Sequence, residues 1–206
     1  NPMGNPSVTD VLKSGAALWV APTGESNPDE TSVAYGGAWG GNWERAGHTK
    51  EPLTVAYESE EADIHVEEVL APIKRFRIGE SLTWETVLAE MTAEYVQLAA
   101  SNQDTVSETG SGAGQDAYEE TGLGGEVVLT EKKWGIEGLF VDADGNEQPL
   151  RMFMHKGTAM VNGELEFSKK SDDYPGIPIQ IKALADTTQS EGQELMLWQR
   201  VTDEGS

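Results

Sequence analysis

The chain has 206 residues, with 36 Asp plus Glu against 14 Lys plus Arg and a formal charge of −22. That length fits one domain able to bury a core without staples. The charge repels phosphates, which argues against a protein that grips nucleic acid but leaves room for a surface that nucleic acid slides past. With no cysteine, disulfides, thiolate zinc sites and cysteine nucleophiles are excluded together. No apolar run is long enough to span a membrane, and the opening Asn1-Pro2-Met3-Gly4 has no signal-peptide pattern. A hydrophobic share of 37% is below the usual value, which points to arms and loops outside a core. The acid is uneven: no Lys or Arg falls between Arg77 and Lys132.

Residues 1–14 mix Asn, Pro, Gly and Ser without periodicity and read as an N-terminal arm. A domain over 15–201 and a short C-terminal tail at 202–206 are expected to follow. Residues 16–21 (AALWVA) read as a first strand, ended by Pro22. Residues 22–52 are rich in Gly, Pro, Asn and Thr and contain Tyr35-Gly36-Gly37-Ala38-Trp39-Gly40-Gly41-Asn42-Trp43. Glycines beside aromatics predict tight turns held by rings, which makes Trp39 and Trp43 candidate loop anchors. The alternative is a sugar-stacking platform, although no paired carboxylate or amide pattern accompanies the rings.

Residues 53–89 alternate with period two in four successive runs. Leu53, Val55 and Tyr57 alternate with Thr54, Ala56 and Glu58, and Ala62, Ile64 and Val66 with Asp63, His65 and Glu67. Phe76 and Ile78 then oppose Arg75 and Arg77, and Leu82, Trp84, Thr86 and Leu88 oppose Ser81, Thr83 and Glu85. The pattern predicts a half-buried antiparallel meander whose wet face carries Glu58, Asp63, Glu67 and Glu85. Over 90–100 the period changes. Met91, Tyr95, Leu98 and Ala99 share a helical face, which predicts a short amphipathic helix.

The stretch 101–122 is polar, acidic and glycine-rich and reads as a long loop, flexible or ordered by a partner. Strands are expected at 126–131 and 135–141, with a turn at Asp142-Ala143-Asp144-Gly145-Asn146. The sheet continues at 149–156 and 158–161. Asn162-Gly163 signals a two-residue hairpin into Leu165 and Phe167. Ile177, Ile179, Ile181 and Ala183 mark a further strand, and Leu195, Leu197 and Gln199 the last. The fold class is therefore mainly β: an antiparallel β-sandwich with one short flanking helix, long loops and terminal arms.

Motifs for chemistry fail on inspection. The Asp142-Ala143-Asp144-Gly145 run resembles a calcium loop, but the sixth and twelfth positions hold Glu147 and Phe153 where Gly and Glu are needed. Gly110, Gly112 and Gly114 do not have dinucleotide or phosphate-loop spacing. His48, His65 and His155 make no ligand pair at helical spacing. With no Gly-x-Ser-x-Gly elbow and no selectable carboxylate pair, catalytic, cofactor and metal residues are all read as none, and the chain as no enzyme.

The order of elements resembles the major tail proteins, or tail tube proteins, of long non-contractile-tailed bacteriophages. The residues that carry the resemblance are AALWVAP, the acidic segment PLTVAYESEEADIHVEEVLAPIKRFRIGESLTWETVLAEMTAEYVQLA, and the closing IPIQIKALAD and ELMLWQRV. It covers roughly 10–200 and is one of layout, without a signature motif. What it implies is a structural virion protein whose subunits close into hexameric rings and stack into a tube. The partners implied are other copies of the chain, other tail proteins at the tube ends, and DNA passing through the lumen without specific binding, with no membrane and no cofactor. It also implies a virion location after synthesis in the bacterial host cytoplasm, and Glu58, Asp63, Glu67 and Glu85 as candidate lumen-facing residues. The 101–122 loop is more acidic and glycine-rich than that pattern. Competing readings are a carbohydrate- or receptor-binding β-sandwich module using Trp39 and Trp43, a hydrolase on a β-sandwich, and a capsid decoration protein.

Overall fold

A computed structural model describes residues 15–102, 106–112, 114, 116–125, 127–141, 145–165 and 175–201. The expected terminal arm and tail lie outside these residues, as do Asp142, Ala143 and Asp144 of the expected turn, and Glu126, Glu166 and Phe167. The chain is mainly β and antiparallel, with a single short helix among the described residues. The strands are β1 (Ala17–Pro22), β2 (Glu44–Arg45), β3 (Thr54–Val66), β4 (Val69–Leu88), β5 (Ser107–Thr109), β6 (Tyr118–Glu120), β7 (Lys132–Val141), β8 (Glu147–Val161), β9 (Ile177–Ala183) and β10 (Met196–Arg200). The helix is α1 (Ala93–Ala99). One open sheet runs β2-β1-β7-β8-β9-β4-β3, with β10 also on β8, and β5–β6 form a separate pair.

The long strand β8 changes partners along its length. Leu150 to Met154 lie against β10, while 157–161 lie against β9. Gly157 sits at the change, where a Cβ would come 2.5 Å from Met154 Sδ and 3.1 Å from the Lys182 carbonyl, so no larger residue fits there without movement. Residues 46–50 then tie the two ends of the sheet together. Ala46 N–H donates to the Leu18 carbonyl of β1, Lys50 N–H donates to the Val87 carbonyl, and Ala89 N–H donates to His48 O. The sheet therefore rolls around Leu18, Val20, Leu82, Trp84, Leu88, Trp134, Ile136, Met154, Ile177, Ile179 and Ile181. Each aliphatic side chain buried this way contributes roughly 1.5–3 kcal/mol.

The helix covers this core with Ala99, and Met91, Tyr95 and Leu98 pack beside it, the face expected from their spacing. Thr92 caps α1, its hydroxyl accepting from Tyr95 N–H at 3.3 Å. Some elements differ from the sequence reading. The 101–122 stretch holds the small β5–β6 sheet, and Glu119 on β6 accepts from Ala93 N–H at the start of α1 at 3.0 Å. Residues 127–131 are not a strand: Thr130 N–H donates to the Ser101 carbonyl at 2.9 Å at the end of α1, and Val127 and Val128 are exposed. Asn162-Gly163 does not open a hairpin into 164–165. Strand β8 returns instead as β9, because the Ile177, Ile179, Ile181 face can fill the core.

A second cluster forms on the far side of β1 and β7. Trp19 stacks on Trp39 with centroids 4.7 Å apart, and Trp43 meets Trp39 edge-on at 4.9 Å. Phe153 completes the group. Beneath it lies a buried ion pair. Arg151 Nη2 is 2.8 Å from Glu137 Oε1, with both side chains essentially inaccessible. Arg151 also donates to Glu30 at 2.7 Å and to the carbonyls of Val33 and Ala34. Glu137 accepts from Trp39 Nε1–H and Gly36 N–H as well. Burial pushes the Glu30 carboxyl above its ordinary value despite Arg151 beside it. This network fastens the 22–43 loop to the sheet.

Removing one partner leaves a buried charge uncompensated. Glu137→Ala should therefore lose about 3–5 kcal/mol in urea unfolding at neutral pH. A loss under 1 kcal/mol, on the order of a single exposed pair, would show that the network does not hold the loop.

His155 is buried, and its Nε2 finds no partner among the described residues. Burial and then the neighbouring Lys133 hold its pKa below 6.5, against the opposing pull of Asp186 and a bond to the Gln193 backbone. A base with a lowered folded pKa takes its proton more readily when unfolded, so this contribution is whole above about pH 6.5 and is lost as pH falls below it. His155→Gln should accordingly flatten the decline in unfolding midpoint between pH 7 and pH 5. An unchanged slope would assign that decline to other groups.

Candidate functional site

The four alternating runs of 53–89 become two long strands of one hairpin, because no Gly-Pro or Asn-Gly breaker separates runs one and two or runs three and four. Val55 opposes Trp84, Tyr57 opposes Leu82, and Glu58 opposes Ser81. Between Glu60 and Glu61 the register slips: Glu60 faces Gly79 and Glu61 faces Arg77, which leaves Ile78 as an extra residue in β4. Glu67 and Glu68 make the turn at the tip.

Only the base of this hairpin is half-buried. In β4, Leu82, Trp84, Thr86 and Leu88 face the core and β9 pairs from Thr83 onward. Among the described residues, the outer part of β4 from Val69 to Ser81 has no strand partner but β3, and β3 pairs with β4 alone. At about 3.3 Å per residue that free length is roughly 40 Å. The expected meander is thus an arm with apolar side chains in the open. Nine of the eighteen large apolar side chains exposed among the described residues lie on the hairpin, Val55 and Tyr57 on one face and Ile64, Val66 and Phe76 on the other, with Leu70 at 105% near the tip and Ile78 at 61% at the bulge. Exposed apolar side chains gathered on one element mark a contact site.

The arm keeps its shape through cross-strand pairs on its surface. Arg75 reaches Asp63 with two hydrogen bonds, at 2.7 and 3.2 Å, and lies 3.4 Å from Glu61. Those bonds hold the Asp63 carboxyl below its ordinary range. Arg77 pairs with Glu80 and lies over the Tyr57 ring, and Lys74 over Phe76. Counting residues 54–88, the acids are Glu58, Glu60, Glu61, Asp63, Glu67, Glu68, Glu80 and Glu85, against Lys74, Arg75 and Arg77, a balance of 3 − 8 = −5.

The four acids singled out in the sequence fall in three settings. Glu58 and Glu85 share one face, since Glu58 and Thr54 lie on the same side of β3 and Thr54 opposes Glu85. Glu85 is held by Gln180 of β9 and by Asn162 at 3.3 Å. Asp63, an odd number of residues from Glu58, points to the other face and is tied to Arg75. Glu67 belongs to the turn. Trp39 and Trp43 are buried, with Trp43 Nε1–H donating to the Ser26 carbonyl at 2.8 Å, so neither ring offers a free stacking face. Among the described residues no group of three or more His, Asp or Glu is placed to hold a metal.

The sequence reading missed Glu30, Glu137 and Arg151. Its available signal was single charges inside apolar runs, Glu137 within WGIEGLFV and Arg151 within PLRMFM. Such charges are rarely buried unless paired.

Comparison with curated proteins returns no match. A sequence model of phage tail tube proteins matches residues 5–200, nearly the whole chain and all of the hairpin, core and closing strands described above. The chain belongs to the phage tail tube protein family.

Proposed function

We propose that this structural tail protein assembles into stacked hexameric rings that form the tail tube, a conduit for DNA, and that the β3–β4 arm makes the contact between one subunit and another. The observation that carries the reading is the arm itself: a long hairpin whose outer edges and exposed apolar side chains are left uncovered by the described residues of its own chain. Tube building needs unlike surfaces to meet head to tail within a ring and again between rings. Free strand edges supply the first kind of contact. The family supports a structural role without catalysis, in contact with other copies, with tail proteins at the tube ends and with DNA that passes without being gripped. The net negative charge fits that last role, since acidic walls repel phosphates within about 8–10 Å, the Debye length. Glu58, Asp63, Glu67 and Glu85 are the proposed lumen contributors, with Glu58 and Glu85 on a shared face.

Concentrated protein viewed by negative-stain electron microscopy should show hollow tubes or rings of uniform width. A sample that stays monomeric even when tail initiator complexes are added would overturn the reading. The arm can be tested apart from the body. Phe76→Ser with Ile78→Ser should abolish tubes while moving the unfolding free energy of the monomer by no more than about 0.5 kcal/mol, since neither side chain touches the core. Persistence of tubes in that variant would remove the arm from the assembly contact. Reversing Glu58 and Glu85 to Lys should leave tubes intact and slow DNA ejection in a single-particle assay. Unchanged ejection would take those two acids off the DNA path.

A further inference from the structure

The arm's apolar tip needs an acceptor, and the body carries a groove suited to it. Where α1 runs past β1 and β2, a groove of about 650 Å³ opens. Its apolar wall is Val20, Ala21, Pro22 and Leu98. Arg45 and Lys132 stand on its polar side, and neither forms a salt bridge among the described residues. Two further lining residues hold side-chain donors with no hydrogen-bond partner among the described residues, Gln97 at Nε2 and Thr130 at Oγ1. A polar group left so is costly, and a partner group beside it would offset that cost. Next to Thr130 in the chain, Leu129, Val128 and Val127 are exposed at 42%, 69% and 94%.

These features select one kind of occupant. An amide, a hydroxyl, a guanidinium and an ammonium can all donate, so they suit carboxylates flanked by apolar side chains. The tip offers that pattern within five residues, Val66-Glu67-Glu68-Val69-Leu70, with all three apolar side chains exposed. Elsewhere on a chain of charge −22 an acidic tip meets mostly like charge. In the groove Glu44 and Glu94 are balanced by Arg45 and Lys132, so the tip is not repelled there. Donor and acceptor are different surfaces, on β4–β3 and on β2–β1 in the strand order. Repeated in one direction, a contact between them is heterologous and links copies in series.

We infer that the β3–β4 tip of one copy seats in the groove between α1 and the β1–β2 edge of a second copy, with Glu67 and Glu68 toward Arg45 and Lys132. This rests on the stacking reading and names the two surfaces that meet. The absence of cysteine from the chain makes the test clean. Leu70→Cys combined with Glu94→Cys, an exposed groove residue, should give a disulfide-linked ladder when assembled tubes are oxidised, while each single variant gives none. In parallel, Arg45→Glu with Lys132→Glu should abolish tubes, and adding Glu67→Lys with Glu68→Lys should restore them. Tubes that form from both the native chain and the Arg45→Glu, Lys132→Glu variant, with no ladder in the cysteine pair, would overturn this contact and leave the stacking reading intact. A native chain that forms no tubes with initiator present would overturn both.

Discussion

The Arg151–Glu137 pair is the interaction on which the folded body depends. It sits where the 22–43 loop crosses β7 and β8, and through Glu30, Gly36, Trp39 and two backbone carbonyls it fixes that loop from Glu30 to Trp39. The loop in turn covers the outer face of β1, where Trp19 would otherwise stand in water. A buried ion pair is rarely the most stabilising choice for such a place, because both charges give up hydration. What it adds is direction. Guanidinium and carboxylate geometry accept one arrangement of the loop, whereas an apolar patch would accept several.

The body and the arm follow opposite rules. In the body, apolar side chains are covered by the rolled sheet and by α1, and charges that go inside are paired. On the arm, alternation is just as regular, yet none of the described residues outside it covers its apolar side chains. The bulge at Ile78 lies where the hairpin leaves the body and adds twist at that point. Its ion pairs are exposed and contribute little to stability. Their value is in keeping the two strands in register while the apolar side chains stay exposed.

Much of this was legible in the sequence. The β class, the single helix and its buried face, and the alternation through 53–89 all follow from apolar spacing. The extent of the arm was not, because alternation says which residues share a face and nothing about what meets that face. Leu82 and Phe76 look alike in the pattern, and only β9 pairing beside the first separates core from projection. The same limit explains 127–131, whose apolar run read as a strand but joins no ladder among the described residues. Asn162-Gly163 misled for a different reason: a local turn signal gave way to the better core match of β9. Arg151 and Glu137 could be suspected from their apolar surroundings, but two residues on different strands can be matched only once β7 and β8 are in register.

The charge of the arm has a bearing on the life of the free subunit. An exposed hairpin with open edges is a template for fibres made of arms alone. Two such arms side by side would bring together sixteen carboxylates and six cations, twice the eight and three that each carries. Like charge of that density favours dispersal. The arms of free subunits are therefore kept from pairing with one another by a field that salt weakens, which leaves them open to a surface of a different character.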